Sequence, residues 1–403
     1  MGFSTIQSIW REGLSEIHVR SLGDALVRVL HHAGPFFVKI GQILSTRDDL
    51  LPESICQQLA RLYEDEAPRM PLRDVYAQLL KNFPDRIPFS EFEEEPIGVG
   101  GVAQVHRAKL DDGTQVAVKI LRPGIEHTVE RDVRAAQTLV QVIFDHLGPK
   151  TKEWSHMVQE LIEDLGEAFH CEVNLDQEAQ NLIEFRTRLE GNKNVFVPAP
   201  YLECCTREVL VSDEVVGLPL SKLIQQQALS PELSKKVASL ALKEILKQVV
   251  EVGIFHPDPH GGNLILMDDE RLGMVDLALA ARFSAEHKEE LIRVLQAIFV
   301  RDAEKITRAF LDFAESPDSV DAEVLKAALQ AEIDKDLPLG TFAGHVMLVI
   351  NRFKITLNKE TITLVRSLIT VEALSKRLDP GFNTAKAAIP TVLFSYLKNK
   401  FTK

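Results

Sequence analysis

One stretch of the sequence decides the fold: His256-Pro-Asp-Pro-His-Gly-Gly-Asn263. Two short apolar segments follow it, at residues 264–267 and 272–275, and the second ends immediately before Asp276. These segments predict a hairpin that holds Asn263 and Asp276 at adjoining strand ends. An amide oxygen and a carboxylate are hard ligands of the kind that Mg²⁺ prefers. The stretch and its hairpin therefore predict a magnesium site of the kind that binds phosphates.

The order of these residues is that of a kinase catalytic loop. In such loops an aspartate is followed five residues later by an asparagine and, after a hairpin, by a metal-binding aspartate. Asp258 would then be the catalytic acid that accepts or orients a proton, while Asn263 and Asp276 would bind Mg²⁺ on the phosphates of ATP. The alternative is a Pro/Gly turn with an asparagine cap and an unrelated surface aspartate. Under that alternative the kinase-like spacing of Asp258, Asn263 and Asp276 would be a coincidence, so we favour the catalytic loop.

A second motif lies upstream, where Gly98, Gly100 and Gly101 precede the apolar run Val116-Ala-Val-Lys119 by a strand and a turn. Glycines let backbone N–H groups approach phosphates closely, and a lysine on the next strand can reach the α- and β-phosphates. Alone, such a glycine pattern is more often a plain turn. A lysine in an apolar strand needs an acidic partner. We expect this partner to be Glu178, although its spacing fits a solvated helix face equally well.

The pattern of apolar residues divides the chain into three parts. Residues 1–90 predict a helical extension, residues 91–215 a strand-rich lobe with inserted helices, and residues 216–403 a helical lobe that carries the catalytic loop. We therefore expect an α+β, bilobal, protein-kinase-like fold. It would have a small strand-rich N-lobe, a larger helical C-lobe and an N-terminal helical extension.

The composition limits the class of protein. A net charge of −13 argues against a general nucleic-acid binder, which needs a basic face for phosphates. The sequence has no run of about 18 apolar residues, which a membrane span needs, and its start has no features of a signal peptide. The cysteines show no metal-ligand spacing and fit a reducing compartment: Cys56, Cys171, Cys204 and Cys205. We therefore expect a soluble, cytoplasmic protein.

A third motif lies in the extension, where residues 34–52 contain Lys39-Ile-Gly41-Gln42. Ordinary protein kinases have no such segment. Together with the Lys119 strand and the catalytic loop, this Lys-x-Gly-Gln signature makes the chain resemble the UbiB family of atypical kinase-like proteins, also called AarF or ADCK. The resemblance covers roughly residues 20 to 385. Many members of that family end in membrane-spanning helices, and we see no such segment before Lys403.

The resemblance implies roles for the site residues. Lys119 would contact the nucleotide phosphates and pair with Glu178. Lys39 and Gln42 would project from the extension into the site, near Glu172, and block the place where a protein substrate would lie. The family looks more like regulated ATPases, or kinases of small or lipid molecules, than like protein kinases. It is linked to ubiquinone and other prenyl-lipid metabolism.

The chain departs from the family pattern at three places. The nucleotide loop reads Gly98-Val-Gly-Gly101, where the family has alanines and a serine. The family's Glu-x-Asp motif reads Glu172-Val-Asn174, which neutralises the second carboxylate. The usual Asp-Phe-Gly reads Asp276-Leu-Ala278, which keeps the metal ligand and gives the backbone less freedom.

The favoured function is a Mg-dependent, ATP-binding atypical kinase or ATPase that supports ubiquinone or other prenyl-lipid metabolism. Its partner would be a prenyl lipid or a quinone precursor. One alternative is a small-molecule kinase, which shares the catalytic loop and lacks the segment from Lys39 to Gln42. Another is a nucleotide-sensing pseudokinase scaffold that binds lipid or biosynthetic partners, for which Asn174 is the argument.

Peripheral contact with a membrane is a further expectation. Trp10, Leu14, Ile17 and Leu22 recur near one another on the first helical segment, and the tail after Leu397 mixes apolar and basic residues. Such a stripe is more often a core or a partner face than a membrane-binding face.

Overall fold

The computed structural model describes residues 16–45, 53–63, 67–147, 152–283, 285–312, 320–353, 355 and 359–401. Trp10 and Leu14 of the proposed membrane-facing stripe lie outside the described residues, as do the side chains of Ile17 and Leu22. The chain divides into two compact units. The first comprises residues 1–179 and 200–214, and the second comprises residues 180–199 and 215–403.

The described helices are, in chain order, α1 (Glu16–Ala33), α2 (Pro35–Leu44), α3 (Glu53–Leu59), α4 (Leu72–Asn82), α5 (Ile125–Leu147), α6 (Lys152–Glu172), α7 (Leu175–Arg188), α8 (Leu220–Gln225), α9 (Pro231–Lys247), α10 (Ala285–Val300), α11 (Ala303–Leu311), α12 (Ala322–Ile333), α13 (Leu339–Arg352), α14 (Lys359–Leu378) and α15 (Thr384–Phe401). None of them combines the length and the hydropathy that crossing a bilayer requires.

The described strands are β1 (Phe89–Phe92), β2 (Gly98–Val99), β3 (Ala103–Leu110), β4 (Gln115–Leu121), β5 (Val195–Phe196), β6 (Val209–Asp213), β7 (Gly217–Pro219), β8 (Ile254–Phe255), β9 (Leu264–Met267), β10 (Leu272–Met274) and β11 (Ala281–Arg282).

The first unit contains an antiparallel sheet in the order β1-β3-β4-β6, with β2 paired to β3. Alternate side chains of a strand point to opposite faces of its sheet. On β4, Val118 and Ile120 are fully buried on one face, which α4 covers with Val75 and Leu79. Lys119, between those two apolar residues, therefore points to the opposite face.

The extension packs around a small apolar core of its own, formed by Val27, Ile55, Leu59 and Leu62. Helix α2 lies so close to this core that a Cβ at Gly41 would be 2.4 Å from Leu62 Cδ1 and 2.7 Å from Leu30 Cδ1. A side chain in place of the glycine of the Lys-x-Gly-Gln signature would thus displace Leu62 and Leu30. Phe36 is fully buried, and its ring lies 5.5 Å from that of Phe169, which fixes the start of α2 against α6.

The second unit contains a sheet in the order β5-β10-β9-β7, and most of its other residues are helical. Strands β9 and β10 form the predicted hairpin, with Leu264 opposite Met274. A π-helical turn over Gln248–Val252 ends at Gly253, whose φ is +80°, and leads into β8, which pairs with β11. The prediction of an α+β fold with a small strand-rich part and a larger helical part is confirmed.

A buried carboxylate joins three helices of the second unit. Glu372 of α14 accepts hydrogen bonds from the N–H groups of Leu339 and Gly340, where α13 begins. It also accepts one from the Thr384 hydroxyl at the start of α15, at 2.6 Å. A negative charge is favourable at helix N-termini, where N–H groups lack partners within the helix.

We expect Glu372→Ala to lower the free energy of unfolding of the second unit by about 3 kcal/mol, because two N–H groups at the start of α13 and the buried hydroxyl of Thr384 lose their acceptor. Urea denaturation followed by circular dichroism measures this. The matched control is Glu190→Ala, since Glu190 is exposed and should change stability by no more than about 0.5 kcal/mol. Equal midpoints for the two variants would show that Glu372 does not hold these helices.

Candidate active site

An ion pair joins strand β4 to helix α7 in the first unit. Lys119 Nζ lies 2.7 Å from Glu178 Oε2, and the two side chains are 16% and 3% exposed. Opposite charges in direct contact stabilise each other, whereas the buried Glu178 carboxylate or the largely buried Lys119 ammonium alone would be costly. The structure thus brings together the lysine and the glutamate that the sequence predicted as partners. Their role toward a nucleotide stays a prediction.

Asn174 sets the start of the helix that carries Glu178. Its side-chain Oδ1 accepts a hydrogen bond from the N–H of Gln177 at 3.3 Å, and its carbonyl accepts one from the N–H of Glu178. Asparagine and aspartate are about equally good at this capping position. Asparagine in place of the family's aspartate therefore keeps the helix start intact.

The glycine-rich loop is a tight connection between β2 and β3. Gly98 pairs with Val105, and the N–H of Gly100 donates to the carbonyl of Ala103 at 2.8 Å. At Gly101 a Cβ would lie 3.2 Å from Pro35 Cβ, at the start of α2. The extension therefore packs directly on this loop, and Gly101 makes the close approach possible.

Arg122, directly after β4, contacts this loop, and the sequence did not predict that contact. Its guanidinium donates to the carbonyl of Gly100, from Nε at 3.2 Å and from Nη2 at 2.9 Å, and also to the carbonyl of Pro68. Its backbone N–H donates to the carbonyl of Val102. Arg122 thus fixes the backbone of the loop. The available signal was its place directly after β4, in the segment Arg122-Pro-Gly124.

The two signature residues of α2 make different contacts. Lys39 Nζ lies 3.9 Å from Glu172 Oε1 at the end of α6, and both side chains are partly buried. Gln42 Nε2 donates to the carbonyl of Leu62 at 2.9 Å, within the extension. The structure thus places Lys39 beside Glu172, as the resemblance implied. Contact of either signature residue with a nucleotide stays a prediction.

Asn263 holds the predicted catalytic loop of the second unit together. Its side-chain Nδ2 donates to the carbonyl of Asp258 at 3.1 Å, and its own carbonyl accepts from the N–H of Val275 at 3.1 Å. The loop that carries Asp258 and the strand that ends before Asp276 therefore meet at Asn263. The amide oxygen of Asn263 and the carboxylate of Asp276 are hard donors that fit Mg²⁺, which proteins usually bind through one or two such groups plus phosphates.

His256 holds the same loop from inside the second unit. Its Nε2–H donates to the carbonyl of Val275 at 3.2 Å, and its Nδ1 accepts from the N–H of Asp258 at 3.3 Å. Its backbone carbonyl accepts from the Ser367 hydroxyl, and its N–H donates to Gln248 Oε1. Complete burial lowers the pKa of His256 to about 4, so the ring is neutral at physiological pH.

Asp276 has a left-handed backbone, with φ at +60°. This conformation is unfavourable for a residue other than glycine, and it persists only where the surroundings hold it. The next two side chains, Leu277 and Ala278, are buried. The strained position in this segment is thus the predicted metal ligand itself.

A family model and the similar curated proteins indicate the same family for this chain. Residues 62–310 match the ABC1 atypical kinase-like domain. The probable protein kinase UbiB of Aeromonas salmonicida is 28% identical over 390 residues, which are 93% of this chain and 70% of that protein. The protein of the same name from Marinobacter nauticus is 28% identical over 388 residues, 92% of this chain and 69% of that protein.

A solved structure shares the fold. The Mycobacterium tuberculosis protein Rv3197, solved in complex with erythromycin, superposes with a TM-score of 0.58 at 20% identity. The alignment covers 89% of this chain and 92% of that chain. At this level of identity the likeness establishes a common fold and nothing about ligands.

We expect the stability of the second unit to fall as the pH is lowered from 7 to 5. The pKa of His256 is about 4 when folded and about 6.5 when unfolded, so in this range the unfolded chain binds the proton first. The free energy of unfolding reaches its full decrease only when the pH approaches the pKa of His256 in the folded protein. At pH 5 the decrease amounts to about 2 kcal/mol. Urea denaturation at both pH values measures it.

The variant His256→Gln should show a flatter pH dependence than the wild type, since it removes the titrating group. His127→Gln is the control, because the side chain of His127 is 91% exposed. If all three proteins lost the same free energy between pH 7 and pH 5, His256 would not be the source of the effect.

Proposed function

Because the chain belongs to the UbiB family of ABC1 atypical kinase-like proteins, we propose that it is a magnesium-dependent, ATP-binding atypical kinase or ATPase. The observation that carries this proposal is the buried ion pair of Lys119 with Glu178. A lysine held by a carboxylate on the strand beside a glycine-rich loop has the arrangement that binds the α- and β-phosphates of ATP in kinases.

The ion pair gives Lys119 a fixed direction. Because its ammonium is already desolvated and held by Glu178, little freedom is lost when it contacts a phosphate. Arg122 restrains the glycine-rich loop through the carbonyl of Gly100. We assign Lys119 and loop N–H groups other than that of Gly100 to phosphate binding, since the N–H of Gly100 donates to the carbonyl of Ala103.

The catalytic loop supplies the remaining groups. Asn263 and Asp276 would hold Mg²⁺, which supplies positive charge against the phosphate oxygens when bound. Asp258 would orient the attacking oxygen and accept its proton. Its backbone is held on both sides, by His256 at its N–H and by Asn263 at its carbonyl.

The curated relatives named UbiB support a place in ubiquinone or other prenyl-lipid metabolism. The acceptor of the phosphoryl group, or the molecule whose handling consumes ATP, would then be a prenyl lipid or a quinone precursor. Such substrates are apolar, so peripheral contact with a membrane is part of the proposal.

We expect ATP to raise the melting temperature of the wild type only when Mg²⁺ is present, and Asp276→Asn to lose most of that shift. Asp258→Asn should keep the ATP-dependent shift in melting temperature and lower ATP turnover by about a hundredfold. The reason is that Asp258 would stabilise the transition state and would contribute little to the binding of ATP. The control is Asp268→Asn in the turn of the same hairpin, where the side chain is exposed. Thermal-shift titration and phosphate release measure the two effects.

An equal ATP shift in the wild type, in Asp276→Asn and in excess chelator would contradict the metal assignment. Unchanged turnover in Asp258→Asn, with a clearly active wild type, would contradict the catalytic one.

A substitution at Lys39 tests whether the extension restrains the predicted nucleotide site. Its ion pair with Glu172 is long, at 3.9 Å, which leaves the ammonium able to exchange partners when a phosphate is present. We expect Lys39→Ala to change ATP turnover, or the ratio of ADP to ATP affinity, by about fivefold or more.

Steady-state ATPase rates and isothermal titration with ADP and ATP measure the effect of Lys39→Ala. The control is Arg61→Ala, which breaks another ion pair of the extension, with Asp24 at 2.9 Å. If both variants behaved like the wild type, Lys39 would be an ordinary surface lysine of α2.

A further inference from the structure

The segment after Asp276 is held by one buried amide. Asn181 of α7 is 1% exposed, and its Nδ2 donates to the carbonyl of Leu277 at 2.7 Å and to the carbonyl of Ala278 at 3.0 Å. Its Oδ1 accepts from Arg282 Nη2 at 2.6 Å. Every polar atom of this side chain therefore faces the segment that follows the predicted metal ligand.

The chemistry fixes which way the amide points. Two carbonyl oxygens require a donor and a guanidinium requires an acceptor, so only one orientation of the Asn181 amide satisfies all three partners. Arg282 is itself held, since its Nε donates to Glu184 Oε2 at 2.9 Å and its Nη1 to the carbonyl of Ala280 at 3.0 Å. Asn181 and Arg282 thus form a clamp on residues 277–280.

Both ends of the Asp276 segment are anchored as well. On one side Val275 is bonded to Asn263 and His256. On the other side β11 pairs with β8, and the ring of Phe283 stacks on that of Phe255 at 5.1 Å. Between these anchors Asp276 has its left-handed backbone, and no glycine follows it to relieve the strain.

We propose that Asn181 is a positioning residue for the metal site: by holding the carbonyls of Leu277 and Ala278 it keeps Asp276 in the strained backbone that directs its carboxylate to Mg²⁺. This inference rests on the proposed function, because it requires that Asp276 bind the metal. In this role Asn181 would act through the backbone of the segment, by its hydrogen bonds to the carbonyls of Leu277 and Ala278.

The test replaces the donor of the clamp and measures metal binding directly. In Asn181→Asp an oxygen replaces Nδ2 against two carbonyl oxygens, while the acceptor for Arg282 remains. We expect the dissociation constant of Mn²⁺ in the presence of ADP, followed by electron paramagnetic resonance, to rise by about tenfold or more, as is typical when an outer-shell partner of a ligand is lost. Peptides covering residues 272–283 should also exchange amide hydrogen faster.

The matched control is Asn192→Asp. The Nδ2 of Asn192 donates to the buried carboxylate of Glu244 at 2.7 Å, so the same substitution places an oxygen against an acceptor elsewhere in the second unit. This variant should lose stability and keep the Mn²⁺ affinity of the wild type. Should Asn181→Asp fail to fold, Arg282→Gln weakens the clamp from its more exposed end and should raise the dissociation constant in the same direction by a smaller factor.

The outcomes separate the two proposals. A wild type that binds no Mn²⁺ with ADP overturns the proposed function and, with it, the role of Asn181. A wild type that binds Mn²⁺ while both clamp variants bind it equally well overturns the positioning role alone. Faster hydrogen exchange with unchanged Mn²⁺ affinity has the same meaning, because Asn181 would then hold the fold without directing Asp276.

Discussion

The first unit depends on a largely buried lysine, Lys119, that must have a partner. Lys119 lies between Val118 and Ile120 on β4, where an ammonium without an acidic partner would be costly. The carboxylate of Glu178, 2.7 Å from the ammonium, offsets this cost. The position of that carboxylate then constrains the rest of the unit. Asn174 must begin α7 at the right residue for Glu178 to face the sheet, and β4 must keep its register with β3 and β6.

Close packing of backbone segments is a second constraint on the same unit. Gly41 allows α2 to approach Leu62 of the 3₁₀ turn Ala60–Tyr63, which follows α3. Gly101 allows the glycine-rich loop to approach Pro35, the first residue of α2. Neither glycine has a left-handed backbone, so the reason for both is the space that a Cβ would occupy. The extension is thereby packed against the glycine-rich loop, with Lys39 near the end of α6.

Local patterns predicted the fold class and the hairpin, because spacing along the chain encodes both. The partnership of Lys119 with Glu178 followed instead from the need of a lysine in an apolar strand for an acidic partner and from the family resemblance, since the spacing of Glu178 fits a solvated helix face equally well. The clamping residues were not predictable in this way. Asn181 contacts Leu277, 96 residues later in the chain, and no period or motif in one sequence links the two. The same holds for Glu372, which reaches the start of α13 from 32 residues away. For Arg122 the motif was visible, while its acceptors became known only from the folded backbone.

At each of the three departures from the family pattern, the structure shows a contact that accommodates the replaced residue. The glycine at position 101 matches the 3.2 Å approach of Pro35, where any side chain would press on the extension. Asn174 caps α7 as well as an aspartate would, and adds no charge beside Glu172. Ala278 removes the freedom that a glycine gives after the predicted metal ligand, and Asn181 donates hydrogen bonds to the carbonyls of Leu277 and Ala278. A segment that cannot relax by itself gains from being held, because the strain at Asp276 is then maintained by its surroundings. The departures therefore argue for backbone segments that are fixed in advance within each unit. The sequence keeps the four residues that we predict to act on the nucleotide and the metal: Lys119, Asp258, Asn263 and Asp276.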